Sequence, residues 1–312
     1  MLHLQLRVPT ELTDRVVALL SDDETVTNVA VVPGGYTKPQ GCLVLADVAR
    51  ESANSVVTRL RDLGIHQGGS ITVTEPEAVF SDDADRAEKA APGEPDDAVV
   101  WDVVENRLRT DSRLSWAFLS FLTLATLIAG IGRLLDEPIL IVGAMVVGPE
   151  FSPVAAICLA LGRPSFGLLP QAVRTLVGGF AFALVVATPL WRLATILGVV
   201  TAADASTGPT TAFIVHPDGW SFVVAMLAGI AGVLSLTTDK SGPLVGVFIS
   251  VTTVPSVGTA ALCLGAGAWS EVGGALLQLG INLVGMILAG TLTLLLQRFV
   301  WGRVLRPHRM GL

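Results

Sequence analysis

The chain has 312 residues, of which 51% are hydrophobic, and it carries a formal net charge of −7. This acidic balance argues against nucleic acid and against a polybasic lipid-binding surface as partners, because both need clustered Lys and Arg. The apolar residues concentrate after Arg113 in runs long enough to cross about 30 Å of hydrocarbon, so this part of the chain is not a soluble core.

Residues 1–80 predict a soluble α+β domain, because short alternating runs are separated by turn residues. The predicted elements, in chain order, are the strand Leu2–Val8, a helix capped by Thr10 and running to about Leu20, the strands Val26–Val32 and Gly41–Val48 around a turn at Pro33–Gly35, a helix over Glu51–Leu63 and the strand Ser70–Thr74. The order βαββαβ predicts a ferredoxin-like domain, a fold used by small-molecule sensors and by assembly modules alike.

The next segments lead to the membrane. Residues 81–97 form an acidic linker rich in Ala, Pro and Gly, which favours a flexible or weakly helical spacer. Residues 98–113 predict an amphipathic juxtamembrane helix with Trp101 as an interfacial anchor. Residues 114–300 then form the predicted transmembrane domain, and residues 301–312 form a basic cytoplasmic tail.

Six apolar spans are predicted in the transmembrane domain, at about 115–134, 138–161, 172–198, 220–238, 243–267 and 272–299. Placing the N-terminus in the cytoplasm puts ten Lys and Arg in cytoplasmic flanks and leaves only Arg133 and Arg192 outside. The positive-inside rule therefore predicts that both termini are cytoplasmic. The longest external segment, Val199–Gly219, either covers an outer vestibule or simply joins two spans.

The second and fifth spans resemble each other. Val154–Gly162 matches Thr259–Gly267, and a proline-containing stretch precedes each. Because each half of the domain has three spans, a duplication leaves the second copy upside down relative to the first. We therefore expect a 3+3 inverted repeat, an architecture found in secondary transporters.

Prolines predict interrupted helices in both copies. Pro149 and Pro153 disrupt the second span and Pro255 the fifth, where hydroxyl side chains surround the break at Thr252, Thr253 and Ser256. In lipid, carbonyls freed by such a break need protein or water partners, so the breaks should face the bundle interior or a wet cavity. The alternative role of each hydroxyl is a hydrogen bond to its own helix.

Glu150 is the most informative single residue, because a lone carboxylate near the middle of a span should face inward. Burial favours the protonated form of a carboxyl, which makes Glu150 a candidate proton or cation site. The alternative is that Glu150 caps the following half-helix near Ser152. Gln278 and Asn282, four residues apart on one face of the sixth span, either meet the breaks or bond to a neighbouring helix.

The stretch Pro138–Pro149, the following Pro153 and the stretch Asn282–Gly290 resemble the bacterial hydrophobic membrane proteins grouped as domain of unknown function 389. The resemblance covers roughly residues 100–300, and the N-terminal unit resembles the usual companion of that family. Where the family commonly has an aliphatic residue after the first proline, this chain has Glu150. The resemblance implies a bacterial inner (plasma) membrane protein of this architecture, with no established reaction.

Three functions fit these features. We favour a transporter that moves a small solute or ion through a midplane site formed by the two interrupted helices. The alternatives are an oligomeric channel or pore, and a membrane-anchored sensor whose α+β domain binds a small ligand. We expect no enzyme, cofactor or metal site, because the histidines and cysteines are isolated and phosphate-binding or nucleophile motifs are absent. The expected partners are the lipid bilayer, the solute or ion, and further copies of the chain in a homo-oligomer.

Overall fold

The computed structural model describes residues 1–76, 78–91, 99–163, 167–237 and 253–304. The described chain is mostly helical, with one small antiparallel sheet near the N-terminus. Residues 1–104 and residues 105–303 form two compact units.

The N-terminal unit contains a four-stranded antiparallel sheet with helices between the strands. The elements are β1 (Leu2–Val8), α1 (Thr13–Ser21), β2 (Val26–Thr37), β3 (Gln40–Val48), α2 (Arg50–Asp62), α3 (Ile65–Gly68) and β4 (Ser70–Thr74). The strand order is β2-β3-β1-β4. Every second residue of β1 is buried, as are alternate residues of β3, because successive side chains of a strand point to opposite faces. One face of the sheet therefore forms the core with α1 and α2.

Two local predictions in this unit are wrong. The chain does not turn at Pro33–Gly35: β2 continues to Thr37, and its register with β3 shifts between Val32 and Tyr36. β2 is an edge strand, where a proline costs no ladder hydrogen bond, and an irregularity absorbs the extra residues. Thr10 is also no helix cap, because it begins a short 3-10 turn and α1 starts only at Thr13.

The N-terminal unit extends beyond its last strand. The acidic segment contains α4 (Asp82–Ala90), whose first turn donates the Ala84 N–H to the Ser81 hydroxyl at 3.4 Å. Val100 packs in the core of the sheet. The Asn54 side chain accepts the Trp101 N–H at 3.1 Å and donates to the Val99 carbonyl. These contacts tie the start of the next helix, α5 (Trp101–Asp111), to the unit.

The second unit consists of apolar helices. They are α6 (Trp116–Leu134), α7 (Pro138–Val147), α8 (Phe151–Gly162), α9 (Leu169–Ile196), the short α10 (Ala202–Ser206), α11 (Gly219–Thr237), α12 (Val254–Ala266) and α13 (Trp269–Val304). Four of these helices are long and apolar enough to cross a membrane, namely α6, α9, α11 and α13. The pair α7 and α8, bent by 61°, adds a fifth crossing if it is one span. Much of the predicted fifth span lies outside the described residues, which resume at Thr253.

The short helix α12 lies at the centre of this unit. All of its residues except Leu264 are buried, because small residues bring the neighbouring helices close. A Cβ placed at Gly258 would lie 2.6 Å from the Cβ of Ala129 on α6, and one at Gly265 would meet the backbone and Trp191 of α9. At about 1.5 Å per residue, α12 is roughly 20 Å long, which is shorter than the hydrocarbon core.

The last helix packs on α8 and α11 through further small residues. A Cβ at Gly229 of α11 would lie 2.8 Å from the Cα of Met286, and one at Gly290 would lie 2.8 Å from the sulfur of Cys158 on α8. At the end of the bundle, the Arg298 side chain donates to the Gly162 carbonyl at 3.5 Å. The last turn of α8 therefore gains a cationic hydrogen-bond partner, which favours a helix C-terminus.

Candidate functional site

The break between α7 and α8 spans Gly148, Pro149 and Glu150. Pro149 has no N–H for the carbonyl of Met145, so the helix cannot continue unchanged. Pro153 does not add a second break, because it lies in the first turn of α8, where its missing N–H has no intrahelical partner to lose. The two arms are about 15 and 18 Å long, so the break lies near the middle of the pair.

Glu150 is buried at this break, with 1% of its surface exposed. It occupies the N-cap position of α8, yet its side chain makes no capping hydrogen bond to that helix. Its Oε1 instead accepts a hydrogen bond of 2.9 Å from the hydroxyl of Thr253, which is fully buried. The carboxylate lies so close to Gly148 that any Cβ at that position would collide with it. Glu150 therefore reaches across to another helix.

Thr253, which bonds to Glu150, lies at the start of α12. Thr253 is the N-cap residue of α12, and Pro255 follows in its first turn. The bond between Glu150 and Thr253 thus joins the starts of α8 and α12, so the structure brings these two predicted site residues together. Predicted site residue Thr252 lies outside the described residues. Ser152 and Pro149 are half-buried beside the break, and Pro153 and Pro255 are buried.

Further buried polar side chains lie on α12 and α13. A two-residue link joins these helices, so they run antiparallel, and Ala260 packs with Ala275 in one apolar cluster. Ser256 and Thr253 lie on the same face of α12 as Ala260, because they precede it by four and seven residues. Gln278 and Asn282 follow Ala275 on the same face of α13, three and seven residues later. Counted from the link, Ser256 and Gln278 lie at similar distances along their helices, and so do Thr253 and Asn282.

This polar seam, defined as Glu150, Thr253, Ser256, Gln278 and Asn282, is closed to solvent in the structure. Gln278 is 2% exposed, and Ser256 and Asn282 are fully buried. Among the described residues, the Gln278 Oε1 has no hydrogen-bond partner, and neither does the hydroxyl of Thr259, one turn beyond Ser256. An unsatisfied buried polar group costs about 1–3 kcal/mol, so such groups indicate a place for water or an ion.

A second polar cluster, which sequence reasoning missed, holds the connection between α9 and α11. Arg133 is 1% exposed and donates to the Thr211 hydroxyl at 2.6 Å and to the Gly208 carbonyl at 3.0 Å. The Thr211 hydroxyl in turn donates to Asp136 at 2.8 Å. In the sequence, the only indication of this cluster was the pair of opposite charges Arg133 and Asp136, three residues apart at the end of α6. Their partners lie about 75 residues further along the chain.

Hydrogen bonding also sets the protonation of Asp136. The Thr210 side chain donates to its carboxylate, and the Thr211 side chain and both backbone N–H groups add further bonds. Since a hydrogen bond to the charged form favours that form, these donors, with the Thr210 side chain foremost, hold the pKa of Asp136 below its ordinary value. The connection is thus anchored to α6 by an ionised side chain.

The apolar helices fit one class, the helical membrane proteins, here with an α+β unit at the N-terminus. Residues 145–288 match the family described as Domain of unknown function (DUF389). The segment contains the α7–α8 break, α12, Gln278 and Asn282. This match confirms the resemblance to that family that we inferred from the sequence.

The chain is also similar to the uncharacterized protein MJ0678 of Methanocaldococcus jannaschii. It is 24% identical over 239 residues, which cover 77% of this chain and 71% of the relative. No solved structure matches the chain. The comparisons thus assign no activity.

Proposed function

We propose that this protein moves a small solute or ion across the membrane through the polar seam. The observation that carries the proposal is the hydrogen bond between Glu150 and Thr253, which joins the starts of α8 and α12 inside an apolar bundle. Transporters of several folds bind their substrates at such interruptions, because the breaks offer backbone groups that a continuous helix consumes internally.

The energetic cost of the seam supports a functional role. A carboxylate at the centre of a membrane helix costs about 3 kcal/mol on insertion scales, and more in some estimates. Ordinary packing between apolar helices needs no such group. The described helices place the Glu150 carboxylate and several neutral polar side chains in the interior of the bundle, which suits a site that binds and releases a polar species.

The proposal includes a particular topology, with six spans, both termini in the cytoplasm and two inverted halves. α8 and α12 have 12 and 13 residues, and each has a proline within its first three positions. Trp116, Trp220 and Trp269 stand exposed at the starts of α6, α11 and α13, as expected for anchors at the membrane interface. We also propose that the N-terminal unit is ferredoxin-like, on the basis of its element order and strand order.

Transport is tested with the purified full-length chain in proteoliposomes. We expect uptake of the transported species to depend on pH and Glu150→Gln to remove that dependence, because the change keeps the shape and deletes only the titratable group. Glu137→Gln, a change at an exposed carboxylate between α6 and α7, is the matched control. No flux for any tested small ion or solute, or the same pH profile in Glu150→Gln, would overturn the proposal.

A further inference from the structure

We propose that residues 211–215 form a movable plug that closes one end of the polar seam, and that a polar species reaches the seam when this plug moves out of the bundle. The plug belongs to the connection between α9 and α11. This gate rests on the proposed function, because it controls access to the same seam.

The connection inserts an apolar turn into the bundle beside the helix break. This 3-10 turn is Ala212–Ile214. Ile214 is 1% exposed and packs in one cluster with Ile141 and Met145 of α7. Met145 lies three residues before Gly148, where the break between α7 and α8 begins. Ile214 therefore contacts the part of α7 that leads into the break.

Val215, the next residue, contacts the two helices that carry the rest of the seam. It is 4% exposed and packs in one cluster with Ala260 of α12 and Ala275 of α13. Its backbone lies directly on α13, because a Cβ placed at Gly274 would collide with the carbonyl oxygen of Val215. Only a residue without a side chain fits at this contact, so the plug fills the space between α7, α12 and α13.

The plug lies one helical turn from the seam. On α12, Ala260 follows Ser256 by four residues, and on α13, Ala275 precedes Gln278 by three. At about 1.5 Å per residue, these steps are roughly 5–6 Å along the helices. Because α12 and α13 are antiparallel, both steps lead from the seam towards the end of the bundle where the two helices are linked. The plug thus covers the seam at this end.

The polar cluster around Arg133 holds the start of the plug in place. Thr211 is fully buried, and its carbonyl accepts the N–H of Ile214 at 3.1 Å. The Thr211 hydroxyl accepts a hydrogen bond from Arg133 and donates one to Asp136. These bonds fix the turn that carries Ile214 relative to the end of α6.

A plug of this kind moves without the unfolding of a membrane helix. It is a short stretch of a connection, and Thr210 and His216 on either side of it are exposed. Segments of this kind open at a lower free energy than packed helices, and many proteins open and close a binding site by moving a loop. Outward movement of Ile214 and Val215 leaves a gap between α7, α12 and α13 that leads to the seam.

The test measures how fast a thiol in the seam reacts with a water-soluble reagent. Ser256→Cys introduces this thiol with little change in size. The full-length chain in detergent is treated with a small cationic methanethiosulfonate, and peptide mass spectrometry follows the reaction at position 256. Native Cys158 is the internal reference, because it is 2% exposed and packs against Gly290 of α13, away from the plug.

Two glycines of α13 provide a matched pair of variants. Gly274→Ala pushes against the backbone of the plug without changing the plug itself, whereas a Cβ at Gly273 has no described atom within 4 Å. We expect Gly274→Ala to raise the reaction rate at position 256 about tenfold and Gly273→Ala to leave it unchanged. If Gly274→Ala does not fold, Ile214→Ala takes its place, with Phe213→Ala at the 49% exposed neighbour as control.

Two outcomes would overturn this gate. Equal rates at position 256 in the two variants of a pair would show that the plug does not control access, and an equal rise at Cys158 would show that the whole bundle has loosened. The gate and the transport proposal fail separately. Flux that depends on Glu150 together with equal labelling rates rejects the plug alone, whereas faster labelling in Gly274→Ala without any flux in the wild-type chain rejects transport alone.

Discussion

The substitution Gly258→Ala tests the packing of α12 against α6. A Cβ at Gly258 would lie 2.6 Å from the Cβ of Ala129, 2.7 Å from the carbonyl oxygen of Thr126 and 2.9 Å from the N of Gly130. Ordinary contacts begin at 3.4 Å, so the new methyl group is about 0.8 Å too close to Ala129. Two of the three neighbours are backbone atoms, which no side-chain rotation moves.

The expected magnitude follows from two opposing effects. Replacing Gly by Ala inside a helix stabilises it by about 1 kcal/mol, whereas inserting a methyl group into a packed interior costs about 1–3 kcal/mol. We expect the cost of the clash to exceed the helix gain, because α12 is packed on several sides and cannot move away from α6. The free energy of unfolding should therefore fall, by up to about 2 kcal/mol, and the start of α12 with Thr253 should shift relative to Glu150.

The assay compares thermal unfolding and flux of Gly258→Ala with those of Gly143→Ala. Gly143 lies inside α7, and a Cβ there has no described atom within 4 Å, so this control retains the helix gain without the clash. We expect Gly143→Ala to match or exceed the wild-type melting temperature and Gly258→Ala to fall below it with reduced flux. Equal stability of the two variants would show that α6 and α12 are not packed as described.

Three further predictions concern the rest of the chain. Cysteine introduced at Ser206 should react with an impermeant thiol reagent in intact cells and cysteine at Asp82 should not; the reverse pattern would reject cytoplasmic termini. A fragment of residues 1–104 should unfold cooperatively with a higher melting temperature than residues 1–95, which lack the core residue Val100; equal midpoints would show that Val100 adds nothing. Asp136→Asn should increase proteolysis of the α9–α11 connection at neutral pH. In the wild-type chain the hydrogen bonds of Asp136 are complete above the ordinary carboxyl pKa and are lost as pH falls through its lowered pKa. Cleavage of the wild-type connection by an acid protease should therefore rise only below about pH 4. Cleavage that responds neither to Asp136→Asn nor to low pH would reject the anchor.

Local sequence patterns predicted much of the secondary structure. The four strands, the helix over α2 and the apolar helices follow from periodicity and run length, which depend on neighbouring residues only. The turn at Pro33–Gly35 was predicted wrongly by the same kind of evidence. Whether a Pro-Gly-Gly stretch forms a turn or an irregular strand depends on whether that strand is at an edge, and strand order is a tertiary property.

The candidate site also has a part that the sequence predicts and a part that only the tertiary structure shows. Glu150 and the prolines could be identified from the sequence, because a carboxylate is costly in an apolar span and a proline lacks the N–H that a helix needs, whatever the fold. Only the tertiary structure decided that Glu150 reaches Thr253, that Pro153 belongs to a regular first turn, and that Arg133 holds a segment about 75 residues away. Sequence thus determined which residues are costly to bury, whereas the packing of α12 among its neighbours determined which of them meet, because that packing depends on small residues far apart in the chain.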